Sequence, residues 1–313
     1  MTKNLVNYQA QVLNIAHRGV RAYAPENTPV AFAKAKTMGC DMFEMDVRLT
    51  KDGVVVVHHD ENLLRCTDAK QKFPGRDSYN LADFNYKEVN ELDAGSWYVA
   101  QLELPSAERQ PFLQTLTEAE IAEFISPSER ELYASGDIKI PSLSETLSLA
   151  KGLDLMVNIE LKNQPEGTAG LVENVLAVIH EMAMEDQILV SSFEHYMLKQ
   201  VRQLNKICAT AVLTDPPIKA PVTYLRKLKV NAYNINCFND YKSKGFGCLP
   251  GKRYLAHLDK IRRAGFGVNV WTCNDPEEMA YLISAGVTGL ISDYPNRVNE
   301  AIKNFSFKGD KRT

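Results

Sequence analysis

The sequence predicts an α/β fold of the closed (β/α)8 barrel (TIM barrel) type. Three observations carry that expectation. Short β-branched runs alternate with amphipathic helical patterns over most of the 313 residues, and such a rhythm belongs to parallel sheets. The runs number eight, which suits a closed barrel better than an open doubly wound sheet. Composition is that of an ordinary globular chain, with 45% hydrophobic and 24% charged residues.

The elements follow in order. Leu13–His17 and Met42–Leu49 read as the first two barrel strands. Between them Thr28 is placed to cap a helix that has Pro29 in its first turn and Gly39 at its end. The remaining strands are read at Leu155–Leu161, Ile188–Ser191, Ala209–Leu213, Ala232–Asn236, Val268–Thr272 and Gly289–Ser292. Helical patterns separate them at Ala169–Met182, Tyr196–Asn205, Tyr254–Ala264 and Pro276–Ala285, the last capped by Asn274 or Asp275 and stopped by Gly286.

One run exceeds the count. Val54–His59 follows the second strand after Lys51-Asp52-Gly53, and Asp-Gly between apolar runs signals a hairpin. We read an antiparallel ribbon rather than a ninth barrel strand. If Asp52-Gly53 is a two-residue turn, Asp46 faces His59, and His58 points away. A one-residue slip would exchange the two histidines.

The whole chain, 1–313, reads as a single catalytic barrel domain. It carries a small inserted subdomain after the hairpin, at about residues 68–140. Loops at a barrel mouth carry function, so this segment is expected to cap the mouth. A surface excursion away from substrate is the alternative.

Bulk properties exclude several classes. A net charge of −3 without a basic stripe gives no reason to expect nucleic-acid binding. No apolar run approaches the roughly 18 residues of a membrane span. Residues 1–14 lack the pattern of a signal peptide. The six cysteines form no CxxC pair, so reduced thiols in a cytoplasmic protein are expected.

The chemistry lies in the strands. On Met42–Leu49, alternation places Glu44, Asp46 and Arg48 on one face and Phe43, Met45 and Val47 on the other. On Met156–Lys162 it opposes Asn158, Glu160 and Lys162 to Val157, Ile159 and Leu161. The apolar sets suit packing against helices, so the charged sets must face the barrel interior or its mouth. Interior charge is costly unless paired or metal-bound. Three converging carboxylates repel pairwise by roughly 3–4 kcal/mol at about 4–5 Å. An all-oxygen set suits Mg²⁺ or Ca²⁺. The competing arrangement is a metal-free ion-pair network of Asp46, Glu160 and Lys162.

His17 ends the first strand, where this fold keeps its chemistry. A lone histidine there is more often structural. A second one aimed at the same carboxylates changes that reading. Two histidines, an arginine, a lysine and a carboxylate-bound cation are what cleavage of a phosphodiester requires.

Weaker signals are read as structural. Gly245-Phe246-Gly247 with Gly251-Lys252 lacks the spacing of a phosphate loop and is expected to be a flexible barrel loop. Trp271 and Phe193 line a pocket or plug the core. His180, His195 and His257 fall in helical patterns and are expected at the surface.

The chain also resembles the glycerophosphodiester phosphodiesterase family. The resemblance rests on His17-Arg18-Gly19, Pro25-Glu26-Asn27-Thr28, Glu44-Met45-Asp46-Val47, Lys51-Asp52-Gly53 and His59-Asp60. It continues through Asp93-Ala94-Gly95-Ser96-Trp97, Ile140-Pro141-Ser142-Leu143, Asn158–Lys162, Ser192-Phe193, Val270-Trp271-Thr272 and Ser292-Asp293-Tyr294-Pro295. It implies the barrel with its insertion, a divalent cation (Mg²⁺ or Ca²⁺) on Glu44, Asp46 and Glu160, and His17 and His59 as the acid–base pair. It further implies phosphate contacts from Arg18 and Lys162, and Phe193 and Trp271 beside the glycerol. The implied substrate is a small glycerophosphodiester, cleaved to sn-glycerol 3-phosphate and an alcohol through a cyclic phosphate. Cys66 replaces a common threonine, and the stretch 97–140 departs from compact members. An alternative keeps the chemistry but makes the chain a lysophospholipase D acting at a membrane surface. An exposed apolar patch from Phe112, Leu113 and Leu116 would favour it.

Overall fold

The structure, a computed structural model, describes residues 12–163, 169–215, 217–237 and 251–309. Among the described residues there are nine strands: β1 (Leu13–Ala16), β2 (Met42–Leu49), β3 (Val55–Val57), β4 (Met156–Leu161), β5 (Ile188–Ser192), β6 (Ala209–Thr214), β7 (Ala232–Asn236), β8 (Gly267–Trp271) and β9 (Gly289–Ser292). All but β3 run parallel, and β1 pairs with both β2 and β9, which closes an eight-stranded ring. This is the expected TIM barrel, with strand ends shifted by a residue or two.

Helices cover the outside. Thr28 caps Pro29–Thr37 by accepting from Ala31 N. Asp275, not Asn274, caps Pro276–Ser284. The helices Leu143–Leu153, Pro221–Leu228 and Pro295–Gly309 were not read from the sequence. The first carries a legible signal nonetheless, a capping box in which Ser142 and Glu145 satisfy each other's backbone N–H groups.

The two faces of the strands bury different things. Phe43, Met45, Val47, Val157, Ile159 and Leu161 pack outward into the main core under the helices. Each such side chain contributes about 1.5–3 kcal/mol by leaving water. Inside the barrel, Leu13, Ile15, Met42, Met156 and Ile291 form one apolar cluster, while Leu189, Ala209, Ala211 and Ala232 form another. Both lie towards the strand starts, leaving the strand ends free for polar groups.

The hairpin register differs from the expected one. Val47 pairs with Val57, Arg48 with Val56 and Leu49 with Val55. Asp46 therefore stands opposite His58, whose N–H donates to Asp46 O at 3.0 Å. The cause is a three-residue loop. Thr50 and Val54 bond through their backbones at 3.0 Å, and Val54 N also donates to Thr50 Oγ1. Gly53 takes the left-handed conformation (φ 80°) that such loops need at their last position.

The segment following the hairpin has two parts. Leu63, Ala69, Leu81, Phe84, Val89 and Leu92 build a small core of their own with Val56 and Ile140. Farther on, Tyr98, Phe112, Leu113, Leu116 and Ile121 join the main core. Tyr98 Oη donates to Ala22 O at 2.6 Å, and Tyr294 Oη donates to Phe112 O at 2.5 Å. These bonds tie the segment to the loops that leave β1 and β9.

Among the described residues no helix is long and apolar enough to cross a membrane. Cys40, Cys66, Cys208 and Cys273 are buried free thiols, and Cys237 is buried. Cys248 and the Gly245-Phe246-Gly247 loop lie outside the described residues.

Candidate active site

The strand register brings the inward carboxylates together. Asp46 on β2 is level with Glu160 on β4, and Glu44 is level with Asn158. Ligand oxygens of Glu44, Asp46 and Glu160 all lie within 4.8 Å of one another. At that distance two bare charges repel by about 3.5 kcal/mol in a medium of effective dielectric about 20. The fold answers the repulsion unevenly.

Lys162 Nζ lies 3.0 Å from Asp46 Oδ1 and 2.5 Å from Glu160 Oε1. Asp46 Oδ2 accepts from Asn27 Nδ2 at 2.9 Å and stands 3.4 Å from Arg18 Nε. Although burial acts the other way, Lys162, His59 and Arg18 hold the Asp46 carboxyl well below its ordinary range. The two carboxylates keep Lys162 charged despite its burial.

Glu44 is treated differently. Its Oε2 accepts from Arg18 N at 2.8 Å, while its Oε1 is buried with no hydrogen-bond partner among the described residues. Burial, with Asp46 and Glu160 adding to it, pushes its carboxyl well above the ordinary range. The Asp46–Lys162–Glu160 network therefore leaves Glu44 unexplained. A hard divalent cation fits this set, because it would supply the missing partner and needs only oxygen donors.

His17 follows β1 directly, and its N–H donates to Ser292 O at 2.9 Å. The next residues turn sharply: Arg18 has φ 54°, and Gly19 has φ 77°. A Cβ on Gly19 would stand 2.7 Å from Ala31 Cβ, so the turn requires glycine. His17 Nδ1 lies 2.7 Å from Asp293 Oδ1. A carboxylate only accepts, so Nδ1 carries the proton and Nε2 is left facing the site, 3.9 Å from Glu44 Oε2. Burial, aided by Arg21, lowers the His17 pKa to about 4.

His59 stands beyond the end of β3, where strand alternation no longer applies. It therefore reaches the site although the register puts His58 beside Asp46. Its Nδ1 lies 2.6 Å from Asp60 Oδ1, which fixes the same tautomer as in His17. His58 is buried nearby, with Nε2 3.5 Å from Asn62 O.

One pocket at the C-terminal ends of the barrel strands collects these groups. His17, Arg18, Glu44, His59, Glu160 and Lys162 line it, together with Phe193 and Trp271. Asp46 sits behind the wall. Trp271 both lines the pocket and packs on the inner apolar cluster, with Nε1 donating to Asn234 O at 3.1 Å. Phe193 meets it edge-on, ring centroids 5.4 Å apart.

The sequence reading missed Asp293, Arg21, Asp60 and Asn27 as partners of the site. Asp293 had a usable signal, since it follows a barrel strand at its C-terminal end; Arg21 had none. His195 is not a plain surface residue, because its ring nitrogens meet Tyr224 Oη and Leu213 O at 2.8 and 2.9 Å. His257 is also half-buried, near Tyr233, whereas His180 is exposed.

Comparison with known proteins identifies the family. The glycerophosphoryl diester phosphodiesterase family profile matches residues 17–297. A glycerophosphodiester phosphodiesterase of Bacillus altitudinis is 30% identical over 283 residues, covering 90% of this chain and 94% of its own. One from Caldanaerobacter subterraneus subsp. tengcongensis is 28% identical over 293 residues, covering 94% and 98%. Among solved structures, an Oleispira antarctica phosphodiesterase in complex with the product sn-glycerol-3-phosphate superposes with a TM-score of 0.69 at 24% identity, covering 95% of this chain and 98% of that one. This chain belongs to the glycerophosphoryl diester phosphodiesterase family.

Proposed function

We propose that the chain hydrolyses small glycerophosphodiesters to sn-glycerol 3-phosphate and an alcohol. The observation that carries this reading is the one pocket onto which two histidines held through Nδ1, the carboxylates Glu44 and Glu160, Arg18 and Lys162 all open.

Glu44, Asp46 and Glu160 would hold a divalent cation, Mg²⁺ or Ca²⁺, which when bound neutralises phosphate charge and polarises the phosphoryl oxygens. The side chains do the rest. Lys162 and Arg18 add positive charge beside the phosphate. Each histidine presents Nε2 to the substrate. One takes the proton from the attacking glycerol hydroxyl, and the other, entering the step as an imidazolium with a proton on Nε2 as well, gives that proton to the departing alcohol oxygen. The P–O bond to the alcohol breaks as the bond to the glycerol oxygen forms, giving a cyclic phosphate. Water then opens that ring with the proton roles reversed. Phe193 and Trp271 pack against the glycerol carbons. The segment 68–140 serves as a cap beside the mouth, held through Ala22 and Phe112, and the enzyme is read as cytoplasmic.

The lysophospholipase D reading lacks its supporting feature, since Phe112, Leu113 and Leu116 are buried rather than exposed. The test is a headgroup panel of glycerophosphodiesters and lysophospholipids with Mg²⁺ or Ca²⁺, read by release of sn-glycerol 3-phosphate. Activity on the glycerophosphodiesters that chelation abolishes is expected. Turnover of lysophospholipids alone, or none at all, would overturn the proposal.

A further inference from the structure

His59 lies in a stretch without regular structure between β3 and the short helix Ala69–Lys72. Productive geometry tolerates displacements of only about 0.5 Å, so something other than a strand must hold the ring. A series of charged contacts does so. Asp60, bonded to His59 through Oδ1, accepts from Arg65 Nε at 2.5 Å through Oδ2. Arg65 then donates both terminal nitrogens to Glu26, at 2.6 and 3.2 Å. Glu26 Oε1 also accepts from Arg18 Nη1 at 2.8 Å. Arg21 Nη1 stands 3.6 Å from Glu26 Oε2, and Arg21 Nε donates at 2.5 Å to Asp293, the partner of His17.

The contacts thus run unbroken from His59 through Asp60, Arg65, Glu26, Arg21 and Asp293 to His17. Neither Glu26 nor Arg65 lines the pocket at the strand ends; Arg65 lines only the open depression beside it, with His59 and Asp60. The loop bearing Arg65 has other anchors: Leu63 is buried in the small core, its N–H donates to Tyr79 O, and its carbonyl accepts from Thr67 Oγ1. The guanidinium fork is therefore not needed merely to hold the chain in place.

We propose that Glu26 and Arg65 are positioning residues, bracing His59 against the β1 side of the site so that the two imidazoles keep a fixed separation. This rests on the reading of His59 as an acid–base partner. A planar fork is required because one side chain must meet two carboxylates at once; a lysine ammonium cannot hold both in fixed orientation. Glu26 suits the hub, being only 5% exposed and surrounded by three guanidinium groups.

The test compares wild type with R65K, E26Q, H59A and the double variant R65K/H59A on glycerophosphocholine with saturating Mg²⁺, alongside thermal unfolding. H59A should fall by about 10² or more. R65K should lower kcat by about 10-fold or more while KM stays within about twofold. R65K/H59A should match H59A alone, because the brace acts only through that ring. If E26Q does not fold, R65K, which keeps the charge, carries the test. Wild-type kcat in R65K, or a double variant slower than H59A by the full R65K factor, overturns the brace alone. Full activity in H59A overturns both the brace and the acid–base reading beneath it.

Discussion

His17 Nδ1 lies 2.7 Å from Asp293 Oδ1, and the pair joins the end of the first barrel strand to the end of the last. The ring closure between β1 and β9 puts residues 276 positions apart into one hydrogen bond. Burial and two neighbouring arginines act against charge on this imidazole, while Asp293 favours it. Asp293 thus both orients the ring and partly offsets its isolation. In Asp293→Asn a neutral amide replaces the carboxylate, and its N–H would force the other tautomer. We expect kcat to fall by about 10–100-fold with KM changed by no more than about twofold. Steady-state kinetics at a fixed metal concentration decides this, and an unchanged kcat would remove Asp293 from the catalytic account.

The carboxylate cluster gives a second prediction. Glu44 Oε1 is buried without a partner among the described residues, so it is the oxygen that gains most from a cation. Glu44→Gln keeps the shape but removes the charge. Calorimetric titration with Mg²⁺ or Ca²⁺ should show binding weakened at least about 10-fold, and activity should need correspondingly more metal. Equal binding by wild type and Glu44→Gln would leave the cluster as an ion-pair network alone.

What the sequence made legible has a physical pattern. Glu44, Asp46 and Glu160 could be placed because strand alternation has a period of two and each inward charge is flanked by outward apolar residues. The barrel followed from the same rhythm. The hairpin register was misjudged because it depends on Thr50 bonding Val54, a detail of one hydroxyl that periodicity does not carry. Arg65 and Glu26 acquire their roles only through contacts across the fold, bridging the 39 positions between them. His195 looked like a surface residue because helical spacing cannot reveal that Leu213 O and Tyr224 Oη meet its ring.

Acid stability offers a third test. Against the opposing effect of burial, Arg18 and Arg65 hold the Glu26 carboxyl well below its ordinary range, and Arg21 and His17 do the same for Asp293. A folded-state pKa below the unfolded one stabilises the fold fully above the unfolded value of about 4, and that stability is lost progressively as pH falls below it towards the folded pKa. Wild type should therefore lose stability more steeply than Glu26→Gln between about pH 5 and pH 3. Denaturant midpoints across that range measure it. Parallel slopes would mean that Glu26 does not titrate differently in the folded and unfolded states.

The aromatic pair at the mouth separates binding from packing. Phe193 is 42% exposed, yet it is held edge-on to Trp271 at the pocket wall. A large apolar ring left half in water has little folding role and much surface to offer a ligand. Phe193→Ala should raise KM by about 2–10-fold, the equivalent of one aromatic contact of about 0.5–1.5 kcal/mol, with little change in kcat or stability. Trp271→Ala should behave differently, because that ring packs on the inner apolar cluster and donates to Asn234 O. Its loss should lower stability by about 3 kcal/mol as well as raise KM. Urea unfolding and steady-state kinetics on both variants distinguish the roles. If Phe193→Ala loses stability while KM holds, its ring serves the Trp271 packing and not the glycerol.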